Sequence, residues 1–305
     1  MASWIAKAAV QKAISGLPWG WDHRANDFLR THVSKGAGLS DQVFAERSTA
    51  AARHVEAGLA FRDQPVLELG TGWYPVVPVA LYLCGFSSVT SVDLVQHMHA
   101  RGIFDVALRF IELEDRHALR SLLPHCESER IEGLRRVVED TGRAPLPADV
   151  GLTLMTGDAS DLPIPDRHAG FIVSNSVLEH IYPEVLRPIL VEFRRVLRPD
   201  GCMSHAIDLS DHFAHLDAKI TPYNFLRFSD SSWRIIDNSI QPQSRLRVDD
   251  YRDLFAETGW TSTSETTKPG EKSLLDRIKL DRRFKAKPAE VNAVVEMHSI
   301  LELAG

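Results

Sequence analysis

The feature that most restricts the fold is an alternation, from Pro65 onward, between short apolar runs and stretches with helical spacing. Five apolar runs lie at residues 66–70, 88–94, 151–158, 169–175 and 201–209. They show little polar alternation, which is typical of strands buried on both faces of a sheet. Helices are predicted between them at about 76–84, 98–122 and 184–197, with a later helix at 248–260 and a final strand at 289–301. This order predicts an α/β fold with a doubly wound, mostly parallel, Rossmann-like sheet.

Residues 1–63 are predicted to form an N-terminal helical cap. They lack β-branched runs and are broken at residues 16–20 and around 36–40, with Asp41 and Ser48 as predicted helix starts. The first helix is amphipathic, which favours packing on the protein. Its apolar side is predicted to carry Trp4, Ile5, Ala8 and Ala9.

Residues 64–305 are predicted to form one domain with two insertions. The first, at about 124–149, is a charged helix and loop, typical of a solvated face. The second, at 210–245, follows the fifth strand and is long, aromatic and irregular. Long connections within a compact domain are usually functional, so this insertion is predicted to be a lid.

Composition and charge disfavour several classes of protein. The chain has 35 basic and 41 acidic residues and a formal net charge of −6, so no long-range field attracts nucleic acid or anionic lipid. Cys84, Cys126 and Cys202 lack Cys-x-x-Cys spacing, which indicates neither a disulfide framework nor a zinc site. No apolar run reaches the roughly 18 residues of a membrane span, and no secretory pattern is evident. We therefore expect a cytoplasmic protein with no nucleic-acid partner and no stable membrane insertion.

Acidic residues and glycines follow three of the predicted strands. They are Glu68, Gly70, Thr71 and Gly72 after the first strand, Asp93 and Leu94 after the second, and Asp158 and Ala159 after the third. Glycines permit a tight turn that a ligand can approach, and Asp93 stands 25 positions after Glu68, close to the spacing of a ribose-binding carboxylate. Because the carboxyl ends of parallel strands meet at one edge, these residues predict a nucleoside pocket. The glycine motif alone also fits an ordinary strand-to-helix turn.

Several segments together resemble the class I S-adenosylmethionine-dependent methyltransferases over residues 65–208. These segments are VLELGTG, SVDL, GDASDLP, FIVSNSVLEHI and LVEFRRVLRPDGCM. The similarity is greatest to the branch with a Val-Leu-Glu-His segment after the fourth strand. It implies a seven-stranded sheet, S-adenosyl-L-methionine as cofactor and methyl transfer as the reaction. A nicotinamide-binding Rossmann enzyme more often shows a third glycine in G-x-G-x-x-G, which is absent here.

The resemblance also implies a role for each residue at this edge. The methionine part of the cofactor is contacted by Glu68, Gly70 and Gly72, with Thr71 between the two glycines. The ribose is held by Asp93, which is followed by Leu94. The adenine is framed by Asp158 and Ala159, and the methyl group is bordered by Asn175 and Ser176. Trp73, Tyr74 and Pro75 stand where the family often has a third glycine. Tyr74 could stack on the amino-acid end of the cofactor or donate a hydrogen bond to it, or Trp73 and Tyr74 could fill the core beside the cap.

The segment after the fifth strand concentrates groups that can move a proton. They are His205, Asp208, Asp211, His212 and His215. Histidine takes a proton near neutral pH and an aspartate can orient its ring, so we predict His212 as a general base with Asp208 or Asp211 as its partner, without a metal. Two alternatives stay open, a divalent metal bound through Asp208 and Asp211 or a purely structural helix cap. His180 is a reserve base, with a structural hydrogen bond as its alternative role.

Aromatic and polar side chains follow in the same insertion. They are Tyr223, Asn224, Phe225, Arg227, Phe228, Trp233, Arg245 and Arg247. Such a set suits a sugar or another polar ring, although the rings could instead pack the lid while the arginines are solvated. This block is similar to methyltransferases associated with bacterial polysaccharide and glycolipid gene sets.

The sequence thus predicts a methyltransferase that methylates an oxygen of a small-molecule or saccharide acceptor by in-line transfer. An RNA or protein methyltransferase is the alternative enzyme, and a catalytically silent nucleoside-binding scaffold is the alternative without catalysis. A homodimer is compatible with the sequence. The acceptor and its methylated atom stay open at this point.

Overall fold

A single sheet of seven strands organises the molecule. The computed structural model describes residues 4–16, 39–140, 145–215 and 217–305. The strands are β1 (Val66–Leu69), β2 (Val89–Asp93), β3 (Leu152–Thr156), β4 (Ala169–Asn175), β5 (Leu197–Asp208), β6 (Trp260–Pro269) and β7 (Val294–Leu303), in the order β3-β2-β1-β4-β5-β7-β6. β1 to β5 pair in parallel, whereas β7 is antiparallel to both β5 and β6. The predicted α/β, mostly parallel, seven-stranded Rossmann-like sheet is confirmed.

Helices flank this sheet. Within the described ranges they are α1 (Trp4–Ser15), α2 (Asp41–Gly58), α3 (Val76–Leu83), α4 (Ala100–Asp115), α5 (Leu119–Leu122), α6 (Ser128–Asp140), α7 (Pro183–Val196), α8 (Asp230–Ile236), α9 (Val248–Glu257), α10 (Lys272–Leu275), α11 (Arg282–Lys285) and α12 (Ala289–Ala293). Single 3₁₀ turns lie at Leu59–Phe61, Pro147–Val150, Leu178–His180 and Asn224–Arg227. None of the helices in these ranges combines the length and the apolar character needed to cross a membrane.

Successive side chains along each strand point to opposite faces of the sheet, and each face is covered by its own apolar layer. Val66 faces the layer that contains α2, α3, α4 and α6, and its neighbour Leu67 faces the layer that contains α7 and α9. Phe171 and Ile172 divide in the same way on β4. Each fully buried side chain of this kind contributes about 1.5–3 kcal/mol to stability. The helices are therefore held against the sheet from both sides.

The N-terminal predictions hold in part. α2 begins at Asp41, where the Ser40 hydroxyl accepts a hydrogen bond from the Val43 N–H at 3.2 Å. Ser48 was predicted as a second helix start, which is wrong, because it is buried inside α2. On α1, Ala8 is buried as expected, but Ile5 is 61% exposed. The predicted breaks fall mainly on residues 17–38, outside the described residues, and the cap at 1–63 stays a prediction.

Three other predicted elements differ from the structure. The helix predicted at 98–122 is two helices, α4 and α5, because His117 between them has a positive φ of 57°. The final strand begins at Val294 rather than at residue 289, since α12 occupies the residues after Pro288. β6 had no counterpart among the apolar runs because it is a largely exposed edge strand of Thr, Ser and charged residues.

The insertion after β5 forms a third apolar cluster with α1. The Trp4 ring lies 5.8 Å from the Phe213 ring and 6.0 Å from the Phe228 ring, measured between centroids. The Trp4 N–H donates to Asp217 at 3.0 Å. α1 is thereby attached to residues 210–245. The opening and closing of this segment as a lid stays a prediction.

Candidate active site

The turn after β1, at Gly70–Gly72, exposes part of its backbone to a space that no protein atom fills. Gly70 has a φ of 77° and Gly72 a φ of 65°, values that favour glycine. A Cβ at Gly70 would meet a Val177 methyl group at 2.6 Å, whereas a Cβ at Gly72 would meet no atom within 4 Å. Gly70 therefore serves close packing inside the protein, and Gly72 leaves room for a ligand.

Glu68 anchors this turn from below. The Thr71 hydroxyl donates to the Glu68 carboxylate and accepts from the Ser91 hydroxyl. Burial raises the pKa of Glu68 to about 7, and the hydrogen bonds from Thr71 and Ser91 oppose that rise. Arg47 of α2 is also near enough to favour the charged carboxylate. Arg47 was not predictable from the sequence, because its approach to Glu68 depends on how α2 packs on the sheet.

Asp93 holds the other side of the turn. One oxygen of its carboxylate accepts the Thr71 N–H at 3.1 Å and the Gly72 N–H at 3.3 Å. Burial raises the pKa of Asp93 to about 6, although these two backbone hydrogen bonds lower it. The structure thus brings together Glu68, Thr71, Gly72 and Asp93 around one turn, as the sequence predicted.

Asp158 shares this edge without joining that hydrogen-bonded group. Thr156 pairs with Asp93 in the sheet, and the next residue, Gly157, donates its N–H to the Asp93 carbonyl at 3.1 Å. The Asp158 carboxylate accepts the N–H and hydroxyl of Ser160 at 2.8 and 2.7 Å, which lowers its pKa. Asp158 is exposed in its own turn and Ala159 behind it is buried.

The other predicted residues of the pocket have varied surroundings. Asn175 ends β4 opposite Ala206 of β5, and Ser176 donates its N–H to the Ala206 carbonyl at 2.8 Å with a φ of 53°. Leu94 is 65% exposed directly after β2. Tyr74 is partly buried and packs against the apolar core. Core filling thus accounts for part of the Tyr74 ring.

The aspartate and histidine segment forms one compact cluster at the end of β5. His212 Nε2 lies 3.2 Å from an Asp208 oxygen, and His215 Nε2 lies 3.6 Å from the same oxygen. Burial would lower the pKa of His212, but the nearby Asp208 carboxylate outweighs it and raises that pKa. Burial alone would raise the pKa of Asp208, but the neighbouring His212 lowers that pKa to about 2.

Asp211 and His205 do not join this pair. The buried Asp211 carboxylate accepts the Phe213 N–H at 2.8 Å and the Asn224 amide at 3.1 Å. His205 is buried within β5, where its Nδ1 is 2.8 Å from the Ser174 hydroxyl. Of the two orienting partners considered, the geometry therefore favours Asp208 for His212.

Glu179 and His180 complete the cluster, and sequence analysis gave Glu179 no role. The Glu179 carboxylate is buried, and burial raises its pKa to about 8. His180 donates Nδ1–H to the Pro242 carbonyl at 2.6 Å, and its ring centroid is 4.8 Å from that of His212. A cavity of about 10 Å³ is lined by Glu179, Asp208 and His212 among others. The signal available in the sequence was the position of both residues just beyond β4.

The aromatic set predicted to bind an acceptor is buried instead. Tyr223, Phe225 and Trp233 are at most 4% exposed and belong to the third apolar cluster. Arg245 and Arg247 are buried as well and donate to backbone carbonyls, so their description as solvated is also wrong. These side chains stabilise the insertion and do not present an acceptor-binding surface.

Comparison with known proteins agrees with this fold. Residues 130–204, about a quarter of the chain, match a family model described as a methyltransferase domain. No curated protein matches the chain. The matched region contains β3, β4, α7 and the first part of β5.

Similar solved structures are distant in sequence. Geranyl diphosphate methyltransferase in complex with S-adenosylmethionine is 11% identical, covers 96% of this chain and 94% of its own, and has a TM-score of 0.46. PH0226 protein from Pyrococcus horikoshii OT3 is 14% identical, with 87% and 93% covered and a TM-score of 0.45. YcgJ protein from Bacillus subtilis is 14% identical, with 84% and 99% covered and a TM-score of 0.43. Over residues 130–204 the chain is thus similar to a methyltransferase domain, and the motifs on either side of that region are compatible with this similarity.

Proposed function

We propose that the edge formed by the ends of β1, β2 and β3 binds S-adenosylmethionine. The observation that carries this proposal is the open space beside Gly72, next to backbone and carboxylate groups that a nucleoside requires. In this proposal the backbone at Gly70 and Gly72 contacts the methionine part, Glu68 holds that turn from below through Thr71, and Asp93 accepts the ribose hydroxyls. Asp158 and Ala159 frame the adenine, while Asn175 and Ser176 border the methyl group.

The acceptor proposed here is a small molecule or saccharide with a nucleophilic hydroxyl. When bound, the cofactor supplies an electrophilic methyl group on a sulfonium. With the cofactor bound, the acceptor hydroxyl would lie in line with its methyl group, and His212 would take the hydroxyl proton as that methyl group is transferred from sulfur to oxygen. Asp208 holds the ring of His212 and stabilises the imidazolium that forms, which the 3.2 Å contact between them supports.

The size of the cavity beside His212 limits how the acceptor approaches. A volume of about 10 Å³ holds about one water-sized group. We therefore expect only the reacting oxygen to enter it, with the remainder of the acceptor outside, on the side of the partly exposed Asp208.

Incubation of cell extracts with the protein and isotopically labelled cofactor tests this proposal directly. Mass spectrometry should detect a labelled methylated small molecule, and titration calorimetry should detect cofactor binding. His212→Ala should leave cofactor affinity nearly unchanged and lower turnover at least about tenfold, as for a lost general base. His215→Ala is the matched control, because His215 contacts the same Asp208 oxygen from a more exposed position.

Other outcomes would replace the proposal. Labelled RNA or protein instead of a small molecule would assign a different acceptor class. Cofactor binding without any labelled product would favour a nucleoside-binding scaffold. Unchanged turnover in His212→Ala would eliminate His212 as the base.

A further inference from the structure

Glu179 is a buried carboxyl group beside His212 whose oxygens lack hydrogen-bond partners among the described residues. It is 5% exposed, and neither of its oxygens accepts a hydrogen bond of ordinary geometry from the described residues. The charge of His212 and, after it, the backbone N–H groups of Glu179 and Asp208 offset only part of the effect of burial. An unpaired buried carboxylate is costly, so such groups are normally neutralised, paired or bound to a metal ion.

Two histidines stand beside this carboxylate. One ligand atom from each of Glu179, His180 and His212 can be chosen so that all three lie within 4.8 Å of one another. His180 donates its Nδ1–H to the Pro242 carbonyl at 2.6 Å, which leaves the lone pair on Nε2 available. A metal-binding histidine usually has its second nitrogen fixed in this manner.

A cavity of about the size of one small ion lies against Glu179, Asp208 and His212, and His180 stands outside its wall. Its volume of about 10 Å³ accepts a single small ion or water, and Glu179, Asp208 and His212 all contribute to its wall. Asp208 is partly exposed and 3.2 Å from His212, so it offers an oxygen at the way in. Two carboxylates and two neutral imidazoles sum to the charge that a divalent ion balances.

Arg245 also lines the cavity but is already engaged elsewhere. Its terminal nitrogens donate to the carbonyls of Phe225 and Phe228 and pair with Asp230 at 2.5 Å. The guanidinium therefore does not donate a hydrogen bond to the Glu179 carboxyl group.

We propose that Glu179, His180 and His212 bind one divalent transition-metal ion of the zinc type, with Asp208 at the edge of its coordination sphere. Imidazole ligands favour Zn²⁺, Co²⁺ or Ni²⁺ over Mg²⁺, which prefers oxygen ligands. Two histidines and one glutamate leave a fourth position for water or for an oxygen of another molecule.

The ion would also regulate the transfer proposed above, and this consequence rests on that proposed function. A metal ion and a proton compete for the imidazole of His212. The ion-loaded protein therefore cannot use His212 as a general base, and we expect Zn²⁺ to inhibit methyl transfer over the concentration range in which it binds.

The test is a binding measurement on the full chain after removal of metal with a chelator. Calorimetry with Zn²⁺ should give one site per chain, Co²⁺ should develop visible absorption bands of a low-symmetry site, and Mg²⁺ should not compete. Glu179→Gln and His180→Gln should each weaken Zn²⁺ binding at least about tenfold. His215→Gln is the matched control, an adjacent histidine outside the proposed ligand set that should bind as the wild type does.

Each result decides the matter. Absence of a one-to-one site, or equal affinity in Glu179→Gln, His180→Gln and His215→Gln, would overturn the proposal. Where a variant fails to fold by circular dichroism, the wild type alone suffices, because bound Zn²⁺ must raise its melting temperature and Mg²⁺ must not. Cofactor binding measured in the same preparation separates failure of the metal site from failure of the proposed function.

Discussion

Gly70 and Gly72 share a left-handed backbone conformation but differ in the space beside them. A left-handed conformation costs an ordinary residue roughly 1–2 kcal/mol. We expect Gly72→Ala to lose about that much stability and to bind the cofactor poorly, because its Cβ enters the open space. Gly70→Ala should lose more stability, since its Cβ would also meet Val177 at 2.6 Å. Urea unfolding and calorimetry measure the two effects, and equal stability losses would contradict this difference.

Asp93 gives cofactor binding a dependence on pH. Its pKa is raised to about 6 by burial, so the carboxylate takes up a proton as the pH falls below that value. A protonated Asp93 accepts hydrogen bonds less well, and we expect cofactor affinity to fall from pH 7 to pH 5. Asp93→Asn should bind at least about tenfold more weakly at pH 7.5 and show a flatter dependence.

The comparison with the wild type is needed because Glu68 titrates near the same range, with a pKa of about 7. Asp200→Asn is the control, an exposed carboxylate paired with Arg198 at the opposite end of β5. An Asp93→Asn variant with the full wild-type pH dependence would show that another group is responsible.

Residues at strand ends were predictable, and residues that depend on packing between segments were not. Glu68 and Asp93 follow from the rule that parallel strands end at one edge. The Glu179 carboxyl group becomes buried only when residues 208–212 and 242–246 pack over it in the folded chain. For Trp233 the sequence left acceptor binding and packing of the insertion both open, because composition does not show whether an aromatic ring meets solvent or another ring, and the structure shows packing.

At the scale of elements, α1 fixes the insertion that carries His212. Trp4 is partly buried against Phe213 and Phe228. Loss of a fully buried tryptophan costs about 3–5 kcal/mol, so Trp4→Ala should lose less, roughly 2 kcal/mol. We expect faster amide exchange over residues 210–245 and unchanged protection of β1 and β4, measured by hydrogen exchange and mass spectrometry.

Ile5→Ala is the matched control for this prediction, because Ile5 lies on the same helix and is 61% exposed. It should leave exchange over residues 210–245 unchanged. Faster exchange throughout the sheet in Trp4→Ala would mean that α1 stabilises the whole molecule rather than the insertion.

Buried parallel strands were predicted better than the antiparallel edge. β1 and β4 are buried along nearly their whole length and β2 along most of its length, a pattern that follows from burial on both faces. β6 is stabilised by its pairing with β7, and only its first residue, Trp260, is buried. A strand whose stability comes from a partner 25 or more residues away in the chain carries little local signal.

On the scale of the whole molecule, buried histidines join the helical layer to the sheet. His54 of α2 lies 2.8 Å from the Ser204 hydroxyl of β5, and that hydroxyl is 2.8 Å from His298 of β7. His205 adds a second link, 2.8 Å from Ser174 of β4. Burial lowers the pKa of His54, and it lowers those of His205 and His298 to about 3 and 4. The folded protein therefore keeps these rings neutral.

This arrangement predicts how stability responds to acid. The unfolded chain protonates His205 near pH 6.5, whereas the folded chain does so only near pH 3, so its contribution is present above pH 6.5 and is lost as the pH falls. Glu68 and Asp93 act in the opposite sense, because their raised pKa values favour the folded state at low pH. The contributions of Glu68 and Asp93 drop out of the difference in stability between the wild type and His205→Gln, because both proteins contain these two acids. We expect the difference in unfolding free energy between the two proteins to shift against the wild type by about 1.4 kcal/mol between pH 7.5 and 5.5 in urea unfolding.

His168→Gln, a change at an exposed histidine, is the control and should show no such shift. If the difference between the wild type and His205→Gln did not change with pH, the buried ring of His205 would be taking up its proton in the folded state.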